Sequence, residues 1–300
     1  MSGWSLLVIS AVYVGLLFAI AYWGDRRAAR RPSAAPRPLI YSLALAVYCT
    51  SWTFYGAVGS AARGGFHFLP IYLGPTLVFV GWWALMRRVV RIGRAQRTTS
   101  IADFLSSRYG KSPALAATVT IIAVIVILPY ISLQLRAIAS SFQALAPSPE
   151  GGSVAITRTA LWVAAGLALF AIIFGTRNLD ANERHHGVVA AIALEAIVKL
   201  AALLAVGLFA VYGVAGGVGE VVALAPEQFT LGEGAFGTRW AALTFLAAAA
   251  VICLPRQFQI TVVECVDERH GATASWLFPL YLFLICIFVA PLAIVGMSAL

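Results

Sequence analysis

The residues with chemistry in them lie where this sequence is otherwise apolar. Within YSLALAVYCTSWTFYGAVGSAARGG, from Tyr41 to Gly65, the polar run Cys49, Thr50, Ser51, Trp52 and Thr53 occupies the centre. Small residues follow at Gly56, Gly59 and Ser60. The stretch is long enough to cross a bilayer, for which about 20 residues are needed. Every backbone polar group must be satisfied in hydrocarbon, so this centre has to face protein or a water-filled cavity. Two readings are open. One is a discontinuous helix whose freed carbonyls and hydroxyls hold an ion or solute at mid-membrane. The other is an unbroken helix that uses small residues for close packing and hydroxyls as glue between helices.

Further polar groups sit in apolar surroundings. Glu195 and Lys199 are spaced i, i+4 with the acid first, the better orientation for an intrahelical ion pair. Ionisable groups at membrane depth cost about 2.5–3.5 kcal/mol each on insertion scales, so the pair either fixes its helix to neighbours or relays charge. Tyr130 and Gln134 share a helix face at i, i+4 beside Pro129, while Arg136 lies further along, where it can snorkel to the interface. In CLPRQFQITVVE, Pro255 removes a helical hydrogen bond and frees carbonyls, a counterpart to the interruption at 41–65. His185 and His186 have no carboxylate or cysteine at metal spacing, and the four cysteines (Cys49, Cys253, Cys265, Cys286) form no CxxC. No metal site, Ser/His/Asp set or phosphate loop is legible, so no enzyme chemistry is expected within the chain.

The elements that must position these groups follow from composition. Of 300 residues, 61% are hydrophobic and 11% charged, against about 25% charged in soluble domains. The expected class is all-α: a polytopic helical membrane protein whose partner is the lipid bilayer. Eight spans can be drawn, at 4–23, 39–62, 67–86, 114–145, 158–175, 187–213, 239–256 and 274–298. The first has no basic residue before it and five arginines after it, so it reads as a retained helix rather than a signal peptide. Loops 24–38, 87–113, 176–186 and 256–273 carry sixteen Lys and Arg, the opposite set three. By the positive-inside rule this expects a multi-pass protein with its N-terminus outside and the richer loops in the cytoplasm. The net charge of +9 therefore reports topology rather than nucleic-acid binding. Ser100, with Asp103 in the first turn and Gly110 as the stop, predicts a short surface helix in the second basic loop. The glycine-rich segment Gly216 to Gly237 suits an outer loop with a short interfacial helix.

These stretches, taken in order, carry a family resemblance. YCTSWTFYGAVGSAARGGFHFLPIYLGPTLVF, TTSIADFLSSRYGKS, LPYISLQL, HHGVVAAIALEAIVKLAALL and LPRQFQITVVECVDERH resemble the sodium:solute symporter family, the relatives of proline and sugar symporters. EAIVKL and LPRQFQ resemble more narrowly the symporter-like sensory domain fused to bacterial sensor histidine kinases of the carbon–nitrogen balance type. The resemblance covers nearly the whole chain.

It implies a LeuT-type inverted-repeat fold of five plus five helices behind one extra N-terminal helix, incomplete here. Leu300 would fall before the last three core helices, which expects a fragment of a longer protein. It implies the carbonyl half of a sodium site around Val47, Tyr48 and Ser51. It also implies a substrate surface from the second, fourth and seventh spans, with Thr50, Ser51, Trp52, Tyr55, Tyr130, Gln134 and Phe245 as its members.

The function it implies is transport or sensing of a small nutrient such as an amino acid. A sodium ion or proton would be the coupling ion, in a bacterial inner membrane. A downstream kinase module and its response regulator would receive the signal. A stand-alone symporter without a kinase is the alternative.

Overall fold

A computed structural model describes residues 3–30, 38–147, 152–170, 172, 186–229 and 236–299. The described helices, in chain order, are α1 (Gly3–Arg30), α2 (Pro38–Ala44), α3 (Ser51–Gly64), α4 (Pro70–Val80), α5 (Met86–Gln96), α6 (Ile101–Arg108) and α7 (Pro113–Leu145). They continue with α8 (Gly152–Phe170), α9 (His186–Leu208), α10 (Val218–Ala223), α11 (Thr238–Cys253), α12 (Pro255–Phe258), α13 (His270–Cys286) and α14 (Val289–Ser298). No strand occurs among the described residues. Among the described residues, four stretches are long and apolar enough to cross a membrane: Trp4–Arg26, Pro113–Leu145, Gly187–Val214 and His270–Ser298. A fifth is the pair Thr238–Cys253 and Pro255–Val263, bent by 57°. The chain is a multi-pass helical membrane protein.

The short segments α2 and α3 form its centre. Against α2 pack α9 and α13, against α3 pack α14 and α7, and α4 lies between α11 and α13. Tyr41, Ala44, Leu45 and Ala46 are at most 1% exposed, so this interrupted segment is buried in protein and not presented to lipid. Lipid tails are as apolar as leucine, so close van der Waals contact has to hold such helices together. Glycines supply it. A Cβ on Gly187 would meet the Ala21 carbonyl of α1, and one on Gly74 would meet Ala247 and the Thr244 carbonyl of α11.

Several boundaries differ from the expected ones for local reasons. The span drawn at 67–86 ends as helix at Val80, because Gly81 caps it and Trp82 turns into a fully buried site against Gly271. The basic segment 87–113 is ordered as two helices, and the predicted cap on α6 forms: Ser100 Oγ accepts from Asp103 N at 3.1 Å. The last span is two helices, α13 and α14, and begins at His270. Helix α7 runs through Pro129. The short helix expected between Gly216 and Gly237 is α10. His185 and the side chain of His186 lie outside the described residues.

Contacts between connecting segments keep to the two sets that the charge pattern separates. In the basic set, Asp25 accepts from Gly187 N at 2.7 Å, and Glu268 bonds Arg91 at 3.2 Å and Arg87 at 3.4 Å. The Arg91 hydrogen bond, with Arg87 behind it, holds the Glu268 carboxyl below its ordinary value. In the other set, Gln228 donates to the Ala62 carbonyl at 2.6 Å, and the rings of Phe66 and Phe229 meet edge to face.

Candidate functional site

The interruption between α2 and α3 is a genuine break. Residues Leu45–Tyr48 tighten into a 3-10 turn, then Cys49 and Thr50 turn extended, with ψ of 111° and −169°. Thr50 caps α3 in a capping box with Thr53, whose hydroxyl accepts from Thr50 N at 3.1 Å. Hydroxyl residues favour such caps because their side chains satisfy the N–H groups that a helix start leaves open. The polar centre of the sequence is thus what allows a helix to stop and restart inside the fold.

The second break stands opposite. Pro255 starts α12, and Leu254 before it is extended, as steric clash with a following proline dictates. The turn delivers the next two residues to the first break. Arg256 donates to the Tyr48 carbonyl at 3.3 Å, and Gln257 Nε2 donates to the Leu45 carbonyl at 3.4 Å. From α9, Lys199 Nζ donates to the Cys49 carbonyl at 2.7 Å and pairs with Glu195 at 3.2 Å. Carbonyls released by one broken helix are therefore met by donors from two other elements. Tyr41 ties the breaks together from the far side, donating its hydroxyl to the Thr261 carbonyl at 2.8 Å.

Helix α7 closes the remaining side. Tyr130 donates to Thr50 Oγ1 at 3.3 Å, and Ser51 Oγ donates to Gln134 Oε1. The Arg256 guanidinium lies 4.7 Å above the Tyr130 ring, which couples α7 to the second break. Two buried donors at this junction, Gln134 Nε2 and Arg256 Nε, have no hydrogen-bond partner within the protein. Buried polar atoms are nearly always paired, so these two donors stand out at the junction.

Of the residues expected to bind substrate, Thr50, Ser51, Tyr130 and Gln134 come together. Trp52 is half-buried, its ring against Gly56. Tyr55 and Phe245 are 56% and 73% exposed and lie outside the cluster. Of the expected ion-binding residues, Val47 and Tyr48 are partly buried on the 3-10 turn, and the Tyr48 hydroxyl donates to the Ile71 carbonyl at 2.9 Å. Arg256 and Gln257 were not expected in the site. Their signal was a cation and an amide directly after a proline in an apolar span. Apart from this junction, a cavity of about 500 Å³ opens between α7 and α8, lined by Ser132, Leu135, Arg136, Ile156, Thr157 and Ala160. No group of His, Cys, Asp and Glu suited to a metal occurs among the described residues.

No family model matches the chain, and no solved structure matches it. Over 147 residues it is 27% identical to a protein of Bacillus subtilis (strain 168) named uncharacterized symporter YodF. The match covers 46% of this chain and 29% of that protein's length, so the chain spans less than a third of this relative.

Proposed function

We propose that this chain is part of the membrane domain of a cation-coupled solute symporter with a LeuT-type inverted-repeat architecture. Its solute is a small carboxylate-bearing nutrient such as an amino acid, held at the junction of the two breaks. The observation that carries this reading is the meeting of two interrupted helices, with the N-terminus of α3 and the orphaned donors Gln134 Nε2 and Arg256 Nε facing one junction. Half-helix N-termini attract anionic groups, and interrupted helices in separate parts of a membrane protein mark transport sites. The similarity to a symporter supports the same class. Thr50, Ser51, Tyr130 and Gln134 would contact the solute directly, and a sodium ion or proton would couple its movement. The membrane would be a bacterial inner membrane, with the N-terminus outside.

A second reading, the sensory domain of a histidine kinase, is favoured by one observation. EAIVKL and LPRQFQ, which resemble the kinase-linked branch, supply the four side chains Glu195, Lys199, Arg256 and Gln257 that close the break. In that case solute binding at the same junction would report to a cytoplasmic kinase and its response regulator.

The test is uptake of radiolabelled amino acids by the full-length protein in proteoliposomes under an imposed sodium or proton gradient. Uptake is expected, and Gln134→Ala should lower it by about tenfold or more, the effect of losing about 1.4 kcal/mol of contact. Absence of uptake together with absence of ligand-induced thermal stabilisation overturns the solute-binding reading. Stabilisation without uptake selects the sensor.

A further inference from the structure

The carbonyls at the end of the α2 segment point to the negative end of a short helical run, where a bound cation is electrostatically favoured. In this chain those oxygens already face cations of the protein. Lys199 Nζ stands 2.7 Å from the Cys49 carbonyl and 3.2 Å from Glu195 Oε1, and its side chain is 16% exposed. The neighbouring Tyr48 carbonyl accepts from Arg256. A free sodium ion at the same oxygens would have to displace the Lys199 ammonium from the Cys49 carbonyl and from Glu195, and would meet the Arg256 guanidinium beside it, where like charges repel.

The position of Lys199 is itself over-determined. Its helix presents Val189, Ala193, Ala196 and Leu203 to the interior at alternating steps of four, three and seven residues, all at most 5% exposed. Tyr281 of α13 donates to the Ala196 carbonyl at 2.9 Å and fixes the rotation of α9. Gly187 N, donating to Asp25 of α1, fixes its start. The ammonium cannot leave the break by a simple turn of the helix.

We propose that Lys199 is a resident cation: its ammonium holds the place at the break that a coupling sodium ion would take, so solute binds there without sodium. This rests on the symporter reading and selects against sodium as its coupling ion. Removing the ammonium leaves the Glu195 carboxylate and the Cys49 carbonyl, two hard oxygen donors of the kind alkali and alkaline-earth cations prefer.

The experiment is equilibrium binding of radiosodium to the purified full-length protein in detergent, with choline as the balancing cation. Wild type is expected to show no saturable binding, and Lys199→Arg the same. Lys199→Ala and the gentler Lys199→Gln are expected to gain saturable binding, with melting raised by sodium over choline. Saturable binding by wild type overturns the proposal, even where neither neutral variant folds. So does a monodisperse Lys199→Ala or Lys199→Gln that binds no sodium. The symporter reading fails separately, by the absence of solute uptake and solute-induced stabilisation, whatever sodium does.

Discussion

Gln257 shows at residue scale what closing the break requires. It is fully buried, it lies 212 positions from Leu45 in sequence, and its amide reaches the Leu45 carbonyl. Its Oε1 has no partner within the protein, so leucine would remove one orphaned acceptor while leaving another, whereas glutamate keeps the volume and removes only the donor. An unsatisfied buried polar group costs about 1–3 kcal/mol, so Gln257→Glu should melt several degrees below wild type in a detergent thermal-unfolding assay. An unchanged midpoint would show that the carbonyl finds another donor. Phe245 makes the contrast. Thr244, Ala247 and Val251 form the buried side of α11, and Phe245, rotated about 100° from Thr244, points out. A one-residue error of helical phase is enough to move a side chain from site to lipid, and apolar sequence on both faces gives nothing to correct it. Glu195 and Lys199, by comparison, were readable because their pairing is local.

At the scale of elements, the bend at Pro255 places Arg256 and Gln257 against the 3-10 turn Leu45–Tyr48 that follows α2. Alanine there lets α11 and α12 join into one helix, because the Leu254 backbone no longer has to be extended. Pro255→Ala should therefore stay folded and monodisperse yet lose about tenfold or more of its uptake, since one misplaced contact of about 1.4 kcal/mol suffices. Retained uptake would show that the bend does not position the donors. The clamp between α5 and the segment before α13 predicts a pH effect. Arg91 and Arg87 hold the Glu268 carboxyl below its ordinary value. A carboxyl lowered by folding adds stability that is present above its unfolded value and is lost as pH falls through the folded one. The melting midpoint of wild type should thus fall on acidification below the ordinary carboxylate range, and Glu268→Gln should flatten part of that fall. Parallel curves for the two would exclude the clamp as the cause.

For the whole molecule, what was legible in the sequence divides along the range of the interactions. The break at Cys49–Thr50, the cap on α6 and the restart at Pro255 are written locally, in hydroxyls and prolines, and the structure bears them out. That Lys199 reaches Cys49, 150 positions away, depends on how α9 packs against α1 and α13, which no local pattern encodes. Sidedness lies between these cases. Sixteen cations against three separate the connecting segments into two sets, and contacts such as Glu268 with Arg91 and Gln228 with Ala62 join segments within a set. Contacts alone do not choose which end faces the cytoplasm; the positive-inside rule applied to the charge bias makes the basic end inside the expectation to be tested. Tyr109, 69% exposed beyond α6, and Phe236, 55% exposed before α11, mark the two ends. In a background with the four native cysteines replaced, Phe236→Cys should react with a membrane-impermeant maleimide on intact spheroplasts. Tyr109→Cys should react only after the membrane is opened. The reverse pattern would put the N-terminus inside, and labelling of both from outside would break the two-sided arrangement itself.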